Sequence, residues 1–213
     1  MYYIYPEKAI EYLKNKDHQL KEAIDTIGLI QREVNPDLYF SIVSSIIGQQ
    51  ISSAAHKTIL ARLNAKVDQI KPMTIIELND QELQSIGISN RKVSYIKELT
   101  SMVISDPTYF DDLNTLDDQM IIDKLIKIKG VGRWTAEMLM IFSLQRPNIL
   151  SYDDLAIIRG LRMLYHHRKI TLKLFKKYQR RFSPYNTTAS LYLWAIASGA
   201  IPKLKDLKPK KNK

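Results

Sequence analysis

Apolar side chains recur three and four residues apart along nearly the whole chain, the spacing of a helix with one buried face. In DLYFSIVSSIIGQQ the positions 38, 42, 43, 46 and 47 are apolar, and Pro36-Asp37 supplies a start signal. The same period predicts helices over EKAIEYLK after Pro6, HQLKEAIDTI up to Gly28, SAAHKTILARLN behind a Ser52 cap, TIIELND, and QELQSIG. RKVSYIKELTSMVI follows Ser89 and ends before Asp106-Pro107, where the residue ahead of proline leaves the helical region. Later helices are expected over 116–128, 133–144, 153–165, 172–182 and 188–198. No run alternates apolar and polar residues as a half-buried strand would. The pattern therefore predicts an all-α chain of roughly ten to twelve helices. No internal repeat stands out, although SIGIS at 85–89 and IKGVG at 128–132 share a helix–Gly–helix rhythm.

Composition narrows the class. With 213 residues, 45% of them hydrophobic, the chain can bury a substantial core as one large domain or two lobes. Seven glycines and eight prolines are too few for a turn-rich β architecture. No stretch approaches 18 consecutive apolar residues, so no membrane span is expected. The start, MYYIYPEKAIEYLK, lacks signal-peptide features, and cysteine is absent, which fits a cytoplasmic protein. Missing cysteines also exclude disulfides, thiolate metal sites and iron–sulfur clusters, and the histidines 18, 56, 166 and 167 lack ligand spacing. The net charge is +10. Half of it resides in the tail 203–213, KLKDLKPKKNK, which reads best as a solvated end. A basic balance favours a polyanionic partner, because phosphate binding releases counterions.

Two segments carry candidate chemistry. In IKGVGRWTAEML, Gly130 and Gly132 bracket Val131 between two helices. A turn this tight calls for positive φ or an approach too close for a Cβ, and glycine supplies both. The valine can point back into the joint, and the next helix begins with amides and a dipole suited to an anion. An ordinary helix stop explains Gly-Val-Gly alone equally well. In ILSYDDLAIIRGLRMLY, Asp153 and Asp154 precede an apolar-periodic run. One of them is expected to cap the helix, and Asp153 is assigned that role.

The longer pattern LIKIKGVGRWTA resembles the helix–hairpin–helix of the HhH-GPD superfamily of DNA glycosylases. IIGQQIS at 46–52, LQSIGISNRKVSYIKELT at 83–100, ILSYDDLAIIRGLRMLY at 149–165 and SPYNTTASLYLWAIA at 183–197 are similar to further family segments. The likeness spans roughly 36–199 and is nearest to the bacterial 3-methyladenine DNA glycosylase II branch. It implies two helical lobes with a cleft between them: 1–115 together with 183–202, and 116–182. The N-terminal β domain of larger members has no room here.

The resemblance implies site residues. Asp154 occupies the catalytic position, where a carboxylate stabilises positive charge at C1′ of the sugar. Bifunctional members carry a nucleophilic lysine where this chain has Trp134, so hydrolysis without lyase chemistry is implied. Trp134, Met138 and Trp194 fall at base-pocket positions. Met138 replaces a tyrosine of that branch, and core packing fits Trp194 about as well. Gln50 matches the wedge that fills the gap left by a flipped base. Gln49 either assists it or turns inward to hold backbone groups. Phosphate contacts are implied for the backbone of Gly130, Gly132 and Trp134, helped by Arg133, and Arg91, Lys92, Arg159 and Arg162 are further candidates. Asn186 stands where relatives often have arginine. No organic cofactor is implied; related hairpins hold Na+ or K+ through backbone carbonyls, here those of Ile126, Ile128 and Gly130. The implied partner is double-stranded DNA with damaged bases, bound by a monomer and not at a membrane. The implied function is base-excision repair of flipped alkylated purines. Alternatives are a glycosylase for oxidised or deaminated bases, or a non-enzymatic module that recognises DNA structure. An iron–sulfur glycosylase is excluded by the absent cysteines.

Overall fold

A computed structural model describes residues 1–207, so most of the expected Lys-rich tail, 208–213, lies outside the described residues. The described residues form twelve α-helices. They are α1 (Ala9–Lys16), α2 (His18–Ile27), α3 (Leu38–Gly48), α4 (Ser53–Lys66), α5 (Pro72–Glu77), α6 (Asp80–Ser85) and α7 (Asn90–Ser105). After a 3-10 turn at Asp111–Asn114 come α8 (Asp118–Leu125), α9 (Arg133–Phe142), α10 (Leu155–Tyr165), α11 (Leu172–Phe182) and α12 (Asn186–Ala197). Among the described residues the only extended pairing is an isolated antiparallel bridge between Tyr2 and Glu33. The all-α expectation holds.

Start signals act as their chemistry requires. Asp37, Ser52, Ser89 and Asp117 each accept a first-turn N–H of α3, α4, α7 and α8. Gly28 ends α2 at φ 76.

The chain divides into two compact units, one of residues 35–144 and one made of both ends, 1–34 with everything after 144. This differs from the expected division into 1–115 with 183–202 and 116–182. The physical cause is helix pairing: α9 packs on α3 and α8, whereas α10 packs on α12 and α2. Hairpin and Asp154 thus belong to different units.

In the unit of residues 35–144, α3 is central. Its Ile42, Val43, Ile46 and Ile47 are fully buried, and it packs against α4, α7 and α9. In the unit built from the chain ends, α12 is central. Ten of its twelve residues are buried, the polar Asn186, Thr187, Thr188 and Ser190 among them, so the helix is enclosed on nearly all sides. Leu193, Ile196 and Tyr192 join Leu13, Leu20, Ile157, Leu161 and Phe182 in one core. Gly160 of α10 permits the close crossing: a Cβ there would stand 2.3 Å from the Leu193 carbonyl oxygen.

Candidate nucleic-acid interface and carboxylate

The bend between α8 and α9 is built around its first glycine. Gly130 has φ 86, and a Cβ there would lie 2.6 Å from Tyr95 Cδ2. Both reasons for glycine hold at this position. Neither holds at Gly132, whose φ is −91 and whose missing Cβ would meet nothing within 4 Å. Gly132 instead serves as the N-cap of α9 and lends it no side-chain cap bond. The starts at Asp37, Ser52, Ser89 and Asp117 are closed by a side-chain oxygen, and α9 has no such cap. Val131 is buried in the joint as expected, and its N–H donates to Ile128 O at 3.0 Å. The related SIGIS bend also uses a left-handed glycine, Gly87 at φ 105, but the following helix is closed by Ser89.

Gln49 turns inward. Its Nε2 donates to Gly130 O at 2.6 Å, tying the end of α3 to the bend. Gln50 is exposed and adopts φ 58, a left-handed conformation disfavoured for a side-chain-bearing residue. Together with Arg91, Lys92, Tyr95 and Gly130 to Gly132 these residues line a concavity of about 330 Å³. Lys92 does not extend to solvent as a phosphate contact would. Its Nζ donates to Ile47 O and Gln49 O, both at 2.8 Å. Burial, with a lesser push from Arg91, lowers its pKa from the ordinary lysine value.

The other hairpin residues are placed as follows. Trp134, at the start of α9, is 46% exposed, enough to offer its indole face. Arg133 pairs through Nε with Glu137 Oε1 at 3.1 Å, one turn along the same helix. Met138 is half-buried on α9. Of the three carbonyls expected to hold a cation, that of Ile128 accepts from Val131 and that of Gly130 from Gln49. Each of these oxygens keeps a second lone pair for another ligand.

In the other unit, Asp154 itself caps α10. Its Oδ1 accepts from the Ala156 and Ile157 amides, both at 2.9 Å, and the residue is 7% exposed. The cap assigned to Asp153 therefore belongs to Asp154. The two amides fix the carboxylate's orientation. Two apolar side chains stay in solvent beside it: Leu155, at 84% exposure, and Tyr152, edge-on to Phe175 at 5.1 Å.

Residues 43–184 match the HhH-GPD superfamily of base excision DNA repair proteins. The chain belongs to this superfamily. It is 30% identical to DNA-3-methyladenine glycosylase 1 of Schizosaccharomyces pombe, with 96% of this chain and 93% of that protein aligned. Among solved structures it is similar to a DNA-3-methyladenine glycosidase from Bacillus halodurans, with TM-score 0.86, 33% identity and 97% of each chain covered. It is also similar to the S. pombe 3-methyladenine DNA glycosylase in complex with abasic DNA, with TM-score 0.75, 28% identity, and 90% and 97% of the two chains covered.

Within the HhH-GPD frame, several implied contacts have other work. Trp194 is partly buried against the core of its unit, so it packs there at least in part. Asn186 is buried and donates to Asn148 Oδ1 at 2.6 Å and to Gln179 O at 3.0 Å, an interior role in place of a phosphate contact. Arg162 binds Asp206 through two 2.7 Å bonds, which raise its pKa and occupy its planar fork. Arg159 approaches the same carboxylate at 3.8 Å. Lys92 and Asp206 carry these arrangements across 40 or more residues of sequence, a separation at which local pattern is silent.

Proposed function

We propose that this protein is a monofunctional DNA glycosylase that hydrolyses the N-glycosidic bond of flipped alkylated purines of the 3-methyladenine type. The observation that carries the proposal is the Asp154 carboxylate, buried and held by two backbone amides at the position the resemblance assigns to the catalytic carboxylate. The names of the relatives support the substrate class.

The chemistry follows from the charge. A 3-methyladenine nucleotide is already cationic, so the base leaves neutral, taking the bonding electrons, without a proton donor. The sugar is left oxocarbenium-like and positive at C1′. A fixed, desolvated carboxylate stabilises that charge better than water does, because it need not reorganise. Water then adds to C1′ and releases its proton, leaving an abasic site. Trp134 lacks an amine, so no Schiff base forms at that position. Its indole face attracts a cationic base by cation–π interaction. The bend and the start of α9 bind a backbone phosphate through the amides of Gly130, Gly132 and Trp134, helped by Arg133. The carbonyls of Ile126, Ile128 and Gly130 would hold a monovalent cation, which would add positive charge at that bend. Gln50 fills the space of the extruded base and Gln49 supports the turn.

The test is an excision panel of duplexes containing 3-methyladenine, 7-methylguanine, hypoxanthine or 8-oxoguanine, with and without borohydride. Release of methylated bases, intact abasic strands and no trapped covalent adduct are expected. Preferential release of 8-oxoguanine or hypoxanthine favours the alternative substrates, and a trapped adduct overturns the monofunctional assignment.

A further inference from the structure

The turn after α3 is held in a shape that it does not favour by itself. Gln50 is left-handed at φ 58, and its side chain is exposed. A residue persists in that region only when its surroundings over-determine it. Three hydrogen bonds supply the constraint. Lys92 Nζ reaches from the first turn of α7 to two carbonyls, Ile47 O and Gln49 O, each at 2.8 Å. Gln49 Nε2 reaches the opposite way, to Gly130 O at 2.6 Å. The ammonium thus closes the C-terminal end of α3, where last-turn carbonyls and the helix dipole attract a cation. The amide moors the same turn to the bend that begins α9.

We propose that Lys92 is a positioning residue for base extrusion: through two backbone carbonyls it holds the 49–50 turn in the conformation that presents Gln50 to the duplex. Lys92 touches no reacting atom. The proposal rests on reading Gln50 as the wedge. Without the ammonium, the turn relaxes to ordinary backbone angles and Gln50 is no longer presented. The cost falls on flipping and not on bond cleavage.

The experiment compares single-turnover excision of 7-methylguanine paired with cytosine and of the same base in a one-nucleotide bulge, where no partner base is orphaned. Wild type, Lys92→Met, Lys92→Arg, Gln50→Ala and the double variant Lys92→Met/Gln50→Ala are measured. Lys92→Met should lower the paired rate about tenfold and leave the bulged rate within about twofold. The double variant should be no slower on the paired substrate than Gln50→Ala, since both act on one element. Lys92→Arg, which keeps donors and charge, should recover part of the loss. Equal loss on both substrates, multiplicative loss in the double variant, or a wild-type rate in Lys92→Met overturns the proposal. A Gln50→Ala protein that keeps the wild-type ratio of paired to bulged rates overturns the wedge reading instead. Failure of wild type on both substrates counts against the glycosylase assignment. Fluorescence of 2-aminopurine opposite a tetrahydrofuran site then still reads insertion in the same variants. If Lys92→Met does not fold, Gln49→Leu removes the other tether and should show the same substrate pattern.

Discussion

Gly130 and Gly132 sit two residues apart in one bend, yet an added methyl group meets opposite surroundings. At Gly130 it would collide with the Tyr95 ring on a backbone already at φ 86. Gly130→Ala should destabilise the protein by about 1–3 kcal/mol, read as a lower urea midpoint at unchanged slope. At Gly132 it would enter open space on ordinary backbone angles. Gly132→Ala should melt as wild type does while binding duplex DNA more weakly, because the methyl stands where a phosphate approaches; equal affinity would show that the space serves no ligand. His167 supplies a pH-dependent case. Burial, then the charges of Lys177 and His166, lowers its pKa below 6.5. The unfolded chain therefore binds the proton first, and stability falls as pH drops through about 6.5. Melting curves between pH 7.5 and 5.5 should decline more steeply for wild type than for His167→Gln. At this scale the sequence is legible where chemistry is local. Ser52 and Ser89 cap as their position predicts. Asp153 and Asp154 could both cap by composition, and only backbone geometry selects Asp154. Nothing near Lys92 in sequence points to Ile47 and Gln49, more than 40 residues away.

Helices were readable because their apolar period survives burial, and α2, α7 and α11 match expectation almost to the residue. Their partners were not, since periodicity gives a buried face but not the element it meets. The crossing of α10 and α12 illustrates this: it depends on one missing side chain, Gly160, against the carbonyl of Leu193. Gly160→Ala must push the helices apart in a core of native density, with an expected cost of about 2 kcal/mol or more and a lowered melting temperature. Because α10 begins at Asp154, the same change should reduce activity in the protein that remains folded. Lysines on α7 work at the element scale too. Lys92 closes α3, and Lys97 donates to the carbonyls of Ile76 and Leu78 at the end of α5. Basic residues that would otherwise read as DNA contacts here terminate helices.

For the molecule as a whole, membership of the HhH-GPD superfamily rests on a match over residues 43–184 and on whole-chain similarity to 3-methyladenine glycosylases. Net charge indicated a polyanionic partner, and the family resemblance carried by the hairpin and its following aspartate narrowed this to a repair enzyme. The division of the chain was less legible. Both ends fold together with α10 to α12, and the hairpin stays with α3 to α8. That pairing depends on long-range contacts of the buried helix α12, which a linear pattern does not encode. The central claim concerns Asp154, and its variant is unusually clean. Asparagine keeps the oxygen that accepts the Ala156 and Ile157 amides and ranks with aspartate as a cap, so it removes charge without removing the helix start. The decisive measurement is the single-turnover rate of methylated-purine release from duplex DNA by wild type and Asp154→Asn, with melting temperature and DNA affinity of both. The account predicts release slowed by roughly 10²–10³-fold with folding and binding retained. Release by Asp154→Asn at the wild-type rate would contradict it.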